Sequence, residues 1–222
     1  VLLSTALLAR PNVQSDATNV TLNHDGVLLV DGRKTFAIGF SNGPPPGSVT
    51  PWGTPGLTEL AAAGGTLIRT GANGTAGWDE ECIARERAWH AAAAEAGLLC
   101  WPFLRELASA TASKPAKTAL LRRVVTEFRD SPGMGLWKGA DEPAWGKQPV
   151  APLVSAADII RELDDRHPMV LIQAPRNTTA ELAPYNAAAS IIGADIYPVS
   201  YPMGLHVPTA QNPTIALVGE FT

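Results

Sequence analysis

Two adjacent carboxylates followed by proline, Asp141-Glu142-Pro143, stand directly after an apolar run, Met134 to Ala140, that reads as a β-strand. A carboxyl group at the end of a strand can work as a general acid or base when its surroundings keep it protonated near neutrality. Other polar residues occupy equivalent places after runs of strand character. They are Asn42, Arg69, Arg105 with Glu106, Gln173, and Asp195 with Tyr197. Trp78, Trp101, Trp145 and Tyr201 accompany them. Carboxylates and flat rings suit a sugar, whose CH face stacks and whose hydroxyls need hydrogen-bond partners. His24, His90, His167 and His206 show no paired ligand spacing and no cysteine beside them, so the residues call for no metal and no cofactor. Serine- or cysteine-based acyl chemistry is not expected either. Cys82 and Cys100 form one bridge or stay as two buried thiols, the thiols being preferred.

The elements that must carry these groups follow from the periodicity. Thr21 to Ile38 reads as paired strands with turn signals at Asn23-His24-Asp25-Gly26 and Asp31-Gly32, leading into a strand from Thr35 to Phe40. Short apolar strands then alternate with helix-period segments, the mark of βα units and a parallel sheet. The strands are Thr66 to Arg69, Leu98 to Leu104, Met134 to Ala140, Met169 to Gln173 and Ile191 to Tyr197. Helices are expected from Thr54 to Ala63, from Asp79 to Gly97, from Pro115 to Arg129, from Pro152 to Asp165, and from a Thr178/Glu181 capping box to about Ser190. Six strands in register predict an α/β fold, an incomplete (β/α)₈ TIM barrel with an N-terminal β-hairpin, whose reactive groups stand at the carboxyl ends of the strands. An open doubly wound sheet is the alternative, but the Pro-rich loop after the first strand is too poor in donors to cradle phosphate.

The segment Gly135-Leu-Trp137-Lys-Gly-Ala-Asp141-Glu142-Pro143 resembles the fourth-strand motif of the retaining (β/α)₈ glycoside hydrolases of clan A, the cellulase and β-glycosidase type. There a Trp-containing strand ends in Asn-Glu-Pro and the Glu is the acid/base. Val30-Asp-Gly-Arg33, Phe36-Ala-Ile-Gly-Phe40, Leu67-Ile-Arg69 and Asp195-Ile-Tyr-Pro198 follow the same order of elements, so the resemblance runs from about residue 25 to 222. It implies hydrolysis of β-linked glycosides or polysaccharides by two carboxylates, with Glu142 as general acid/base. Arg69, Asp141, Trp145, Gln173, Asp195 and Tyr197 become substrate-binding or supporting residues. The charge of Asp141 would help to keep Glu142 protonated, and Pro143 would bias Glu142 to extended backbone. Asp141 departs from the Asn of the motif, and an ionised Asp only accepts hydrogen bonds. Lys138 shares the parity of Glu142 but lies too far below it to be its partner.

A retaining enzyme also needs a nucleophile, and the late candidate is Glu220. Residues 213–222 read better as the start of a helix, which leaves the chain cut after its sixth strand. The alternative is a non-catalytic or degenerate barrel that binds a glycan or serves as a scaffold. Two open sheet edges would be covered by a second copy of the chain or by the hairpin and the apolar start. Residues 1–18 are read as the remnant of a signal peptide or an N-terminal extension, and 19–222 as one partial catalytic domain, secreted or periplasmic. The 17 Lys and Arg against 21 Asp and Glu, and a charged fraction of 17 %, leave no basic footprint for nucleic acid. No apolar run is long enough to span a membrane. The expected partner is a carbohydrate.

Overall fold

The computed structural model describes residues 17–72, 77–174 and 177–196. Three short antiparallel strands, β1 (Val20–Leu22), β2 (Leu28–Val30) and β3 (Arg33–Lys34), form a small sheet. Six parallel strands follow as β4 (Gly39–Phe40), β5 (Leu67–Gly71), β6 (Leu99–Phe103), β7 (Trp137–Asp141), β8 (Met169–Gln173) and β9 (Ile191–Ala194). Their spatial order is their order in the chain. The result is an incomplete TIM-like barrel, a curled parallel sheet with helices on its outer face.

Side-chain alternation sorts the strands into two faces. Leu67, Leu136 and Val170 join the hairpin residue Val20 inside the curl, with Leu99, Trp101 and Ile172 packed against them. Their neighbours Ile68, Trp137 and Leu171 point outward to the helices. The inner residues sit at the amino ends of the strands, so the hairpin closes that mouth. Val20 N–H donates to Arg166 O (3.1 Å) and Thr18 Oγ1 to Pro132 O (2.7 Å).

The helices are α1 (Gly56–Ala62), α2 (Glu80–Ala96), α3 (Pro115–Phe128), α4 (Val150–Leu163) and α5 (Thr179–Leu182). Asp79 caps α2 by accepting the Cys82 N–H (2.7 Å), and Gly97 closes it in left-handed conformation. Leu121, Val124, Val125 and Phe128 of α3 and Leu153, Ala156, Ala157 and Ile160 of α4 are the buried stripes. Several expected elements are shorter than predicted, and for two of them the cause is visible. The capping box of Thr178 and Glu181 forms, but Pro184 ends regular helix and the chain continues as a 3-10 turn over Ala183–Ala188. The first parallel strand keeps only two residues, because Thr35 N–H still bonds Leu28 O (2.9 Å) in the hairpin.

Candidate active site

The carboxyl end of β7 is irregular. Lys138 is in register with Val170, and Asp141 with Ile172, so β7 holds one residue more than β8 over the same stretch. Such a bulge re-aims the residues that follow it. Glu142 N–H then donates to Ile172 O (2.8 Å), and Glu142 O accepts the Gly146 N–H (2.9 Å). Ala144 N–H is received by Gln173 Oε1 (3.3 Å), and Tyr185 Oη donates to Gln148 O (2.7 Å), so the loop is fastened on both sides. Glu142 has φ 45°. The extended backbone expected from Pro143 is therefore corrected to left-handed. The rule for a residue before proline favours extended backbone, and here the tight turn into 143–148 overrides it.

Lys138 lies inside the curl with its side chain 2 % exposed, 4.2 Å from the centroid of the Phe103 ring, and it forms an ion pair with Asp141. Burial pushes the Lys138 pKa down. The hydrogen bond and charge of Asp141 oppose that, Arg69 adds to it, and Asp195 opposes it. Arg69, Lys138, Asp141 and Asp195 thus share one electrostatic neighbourhood. Asp195 N–H donates to Gln173 O (2.8 Å), the carbonyl next to the one that receives Glu142 N–H, so Glu142 and Asp195 flank the end of β8. Asp141, expected to act on Glu142 through its charge, is itself ion-paired with Lys138.

The remaining expected residues fall into distinct places. Arg69 is partly buried on β5, in register with Trp101, on the inner face. Trp145 is 53 % exposed beside Glu142 and offers a flat surface. Gln173 is buried on the outer face, where its oxygen braces the 142–148 loop. Trp78, read as a rim aromatic, is buried against Phe128 and donates to Phe103 O (3.1 Å). Glu106 is spent on the Trp78 N–H (3.1 Å). Tyr197, Tyr201 and Glu220 lie outside the described residues. Gly39-Phe40-Ser41-Asn42-Gly43 does fit the spacing of a serine-hydrolase elbow, a match that the reading against acyl chemistry passed over. That elbow needs a strand running straight into a helix, whereas the next helix starts at Gly56.

One cluster of metal-ligand types exists among the described residues: Glu86, His90 and Cys100, all buried between α2 and the outer face of β5 and β6. Its polar atoms serve the scaffold. Glu86 accepts from the Thr70 hydroxyl and from Gly71 N–H (2.7 Å), and its Oε1 lies 3.0 Å from His90 Nε2. This clamps the end of β5, where Gly71 (φ 84°) is required because a Cβ would lie 2.5 Å from Phe103 N. Glu86 and His90 are spaced i, i+4 on α2, a pairing that a His–His spacing does not capture. Both cysteines are free and buried. Burial pushes the Cys82 thiol up to about 11 and Cys100 well above the ordinary value, which makes both poor nucleophiles at neutral pH.

No protein-family model and no curated protein matches the sequence. Solved structures do match the fold. A β-glucuronidase from Bacteroides uniformis superimposes with a TM-score of 0.51 at 14 % identity, over 81 % of this chain and 23 % of that one. A β-1,4-D-mannanase from Cryptopygus antarcticus gives 0.51 at 13 %, over 72 % and 61 %. The chain shares its fold with clan A glycoside hydrolases. A glycosyl hydrolase family 2 member from Bacteroides cellulosilyticus extends the set, with 0.52 at 16 % over 82 % and 24 %. The resemblance drawn from the Gly135 to Pro143 segment and the order of elements is matched at the level of the fold, and the chain spans only part of each of these relatives. Among the described residues no helix is long and apolar enough to cross a membrane.

Proposed function

We propose that this chain is the larger part of a glycoside hydrolase barrel acting on β-linked glycosides or polysaccharides by a retaining mechanism, with Glu142 as general acid/base. One observation carries the reading: Glu142 stands at the carboxyl end of the fourth strand of a glycosidase-like curled sheet, on a bulged and fastened loop. A glycosidic oxygen leaves poorly unless it is protonated as the bond breaks, which is the task of a carboxylic acid at the rim. Arg69, Asp141 and Asp195 line the same end and can bind sugar hydroxyls, while Trp145 offers a stacking face. The candidate for the second carboxylate is Glu220.

The test uses aryl β-glycosides of graded leaving-group acidity together with soluble polysaccharides. Glu142→Gln should lower turnover by about 10²–10⁴-fold on poor leaving groups, with binding retained. It should lower kcat/KM, which reports the step that expels the leaving group, far less on nitrophenyl glycosides, whose oxygen departs without a proton. Equal turnover by the unmodified chain and the Glu142→Gln variant on every substrate would remove Glu142 from the reaction. A second reading, a barrel that binds glycan without cleaving it, is favoured by the exposed flat face of Trp145. It predicts saturable polysaccharide binding that Trp145→Ala weakens and Glu142→Gln leaves unchanged, with no turnover in any form of the chain.

A further inference from the structure

Lys138 and Asp141 would face opposite sides of a regular strand, being an odd number of residues apart. The extra residue in β7 brings them onto one side, where they meet. The two ends of the pair differ in environment, the lysine side chain being 2 % exposed and the aspartate 45 %. A buried ammonium persists only with a partner, and Asp141 together with the Phe103 face supplies it. The other charges acting on Lys138 are Arg69 and Asp195. Lys138 is too deeply buried to meet a substrate, so its effect must pass through Asp141.

We propose that Lys138 is a positioning residue for Glu142: from inside the sheet it holds Asp141 inward and neutralises it, so Glu142 has a paired carboxylate as its neighbour rather than a free one. The consequence for the reaction rests on the reading of Glu142 as the acid, whereas the charge relation itself does not. In the unmodified full chain, in Lys138→Met and in the Lys138→Met/Asp141→Asn double variant, the Glu142 side-chain carboxyl is titrated by ¹³C NMR. Lys138→Met should raise its midpoint by about 0.5–1 pH unit, because a free like charge disfavours ionisation. The double variant, which removes both charges, should return it. An unchanged midpoint in Lys138→Met overturns the proposal. Thermal unfolding checks the anchor separately. Asp141→Asn leaves a buried ammonium without its carboxylate and should melt lower by about 5 °C or more, and the double variant should regain most of that. An Asp141→Asn chain that melts with the unmodified one also overturns the proposal. Failure of Glu142→Gln to affect turnover would sink the functional reading alone and leave the titration result standing.

Discussion

At Glu142 the chain holds a charged, non-glycine residue with φ 45°. Left-handed backbone costs such a residue about 1–2 kcal/mol, and strain of this kind gathers where a side chain must be aimed. Comparing two variants that both lack the carboxylate isolates the backbone term. Glu142→Gly should be more stable than Glu142→Ala by about 1 kcal/mol, read as a melting point about 2–4 °C higher, although both lose the acid. Equal melting points would mean that the turn is unstrained. The identity and place of this residue were legible, because a strand pattern ended in Asp-Glu-Pro. Its conformation was not, since the bulge depends on pairing with β8 and leaves no mark in residues 137–141 themselves. The same hidden bulge is why strand parity gave no sign that Lys138 meets Asp141.

Among the elements, the loop from α4 into β8 secures the closed mouth. Asp164 receives Trp137 Nε1–H (2.7 Å) and Arg166 N–H (3.1 Å), and both of its oxygens lie within 3.0 Å of His167 Nδ1. His167 Nε2 lies 2.9 Å from Thr18 O, which fastens the segment before β1. Burial raises the Asp164 pKa, but the hydrogen bond and charge of His167, together with the Trp137 and Arg166 donors, outweigh it and hold the carboxyl below its usual value. A depressed carboxylate stabilises above its unfolded pKa of about 3.9 and loses that contribution as pH falls through the folded value. Thermal melts between about pH 5 and pH 2 should therefore fall steeply in the unmodified chain and less steeply in Asp164→Asn. Identical slopes would assign the acid limb to other groups. Most elements were legible where pattern and punctuation agreed, as with β8, α2 and α3. The sequence reading overran where the decisive event was local, at Pro184, or non-local, at Thr35, whose amide stays with the hairpin.

For the whole molecule, alternating strands and amphipathic helices foretold an incomplete barrel, because each βα unit repeats the same two periodicities. What the periodicities leave out is how the sheet ends. Among the described residues β4 is two residues long and β9 pairs with β8 alone, with Ile38, Phe40 and Ile192 exposed near these edges. Strands β5 to β8 are paired on both sides, and their outer faces are buried under the helices. Amide hydrogen exchange should accordingly be slowest in β5 to β8 and faster by about two orders of magnitude or more at β4 and β9. Uniform protection across all six strands would show that the edges are covered in solution.

The strictly sequential strand order has a consequence for how the chain is made. As it leaves the ribosome, every βα unit finds its neighbour already present, so the curled sheet can grow in the direction of synthesis with short loops to close. The first strands made are the exception. Thr18 waits for Pro132, 114 residues later, and for His167, 149 residues later, so the hairpin is made before the strands that it caps and docks only as β8 is reached. Until then the inner faces of the growing sheet stay uncapped, which makes that late docking the point in biosynthesis where a chaperone would have most to protect.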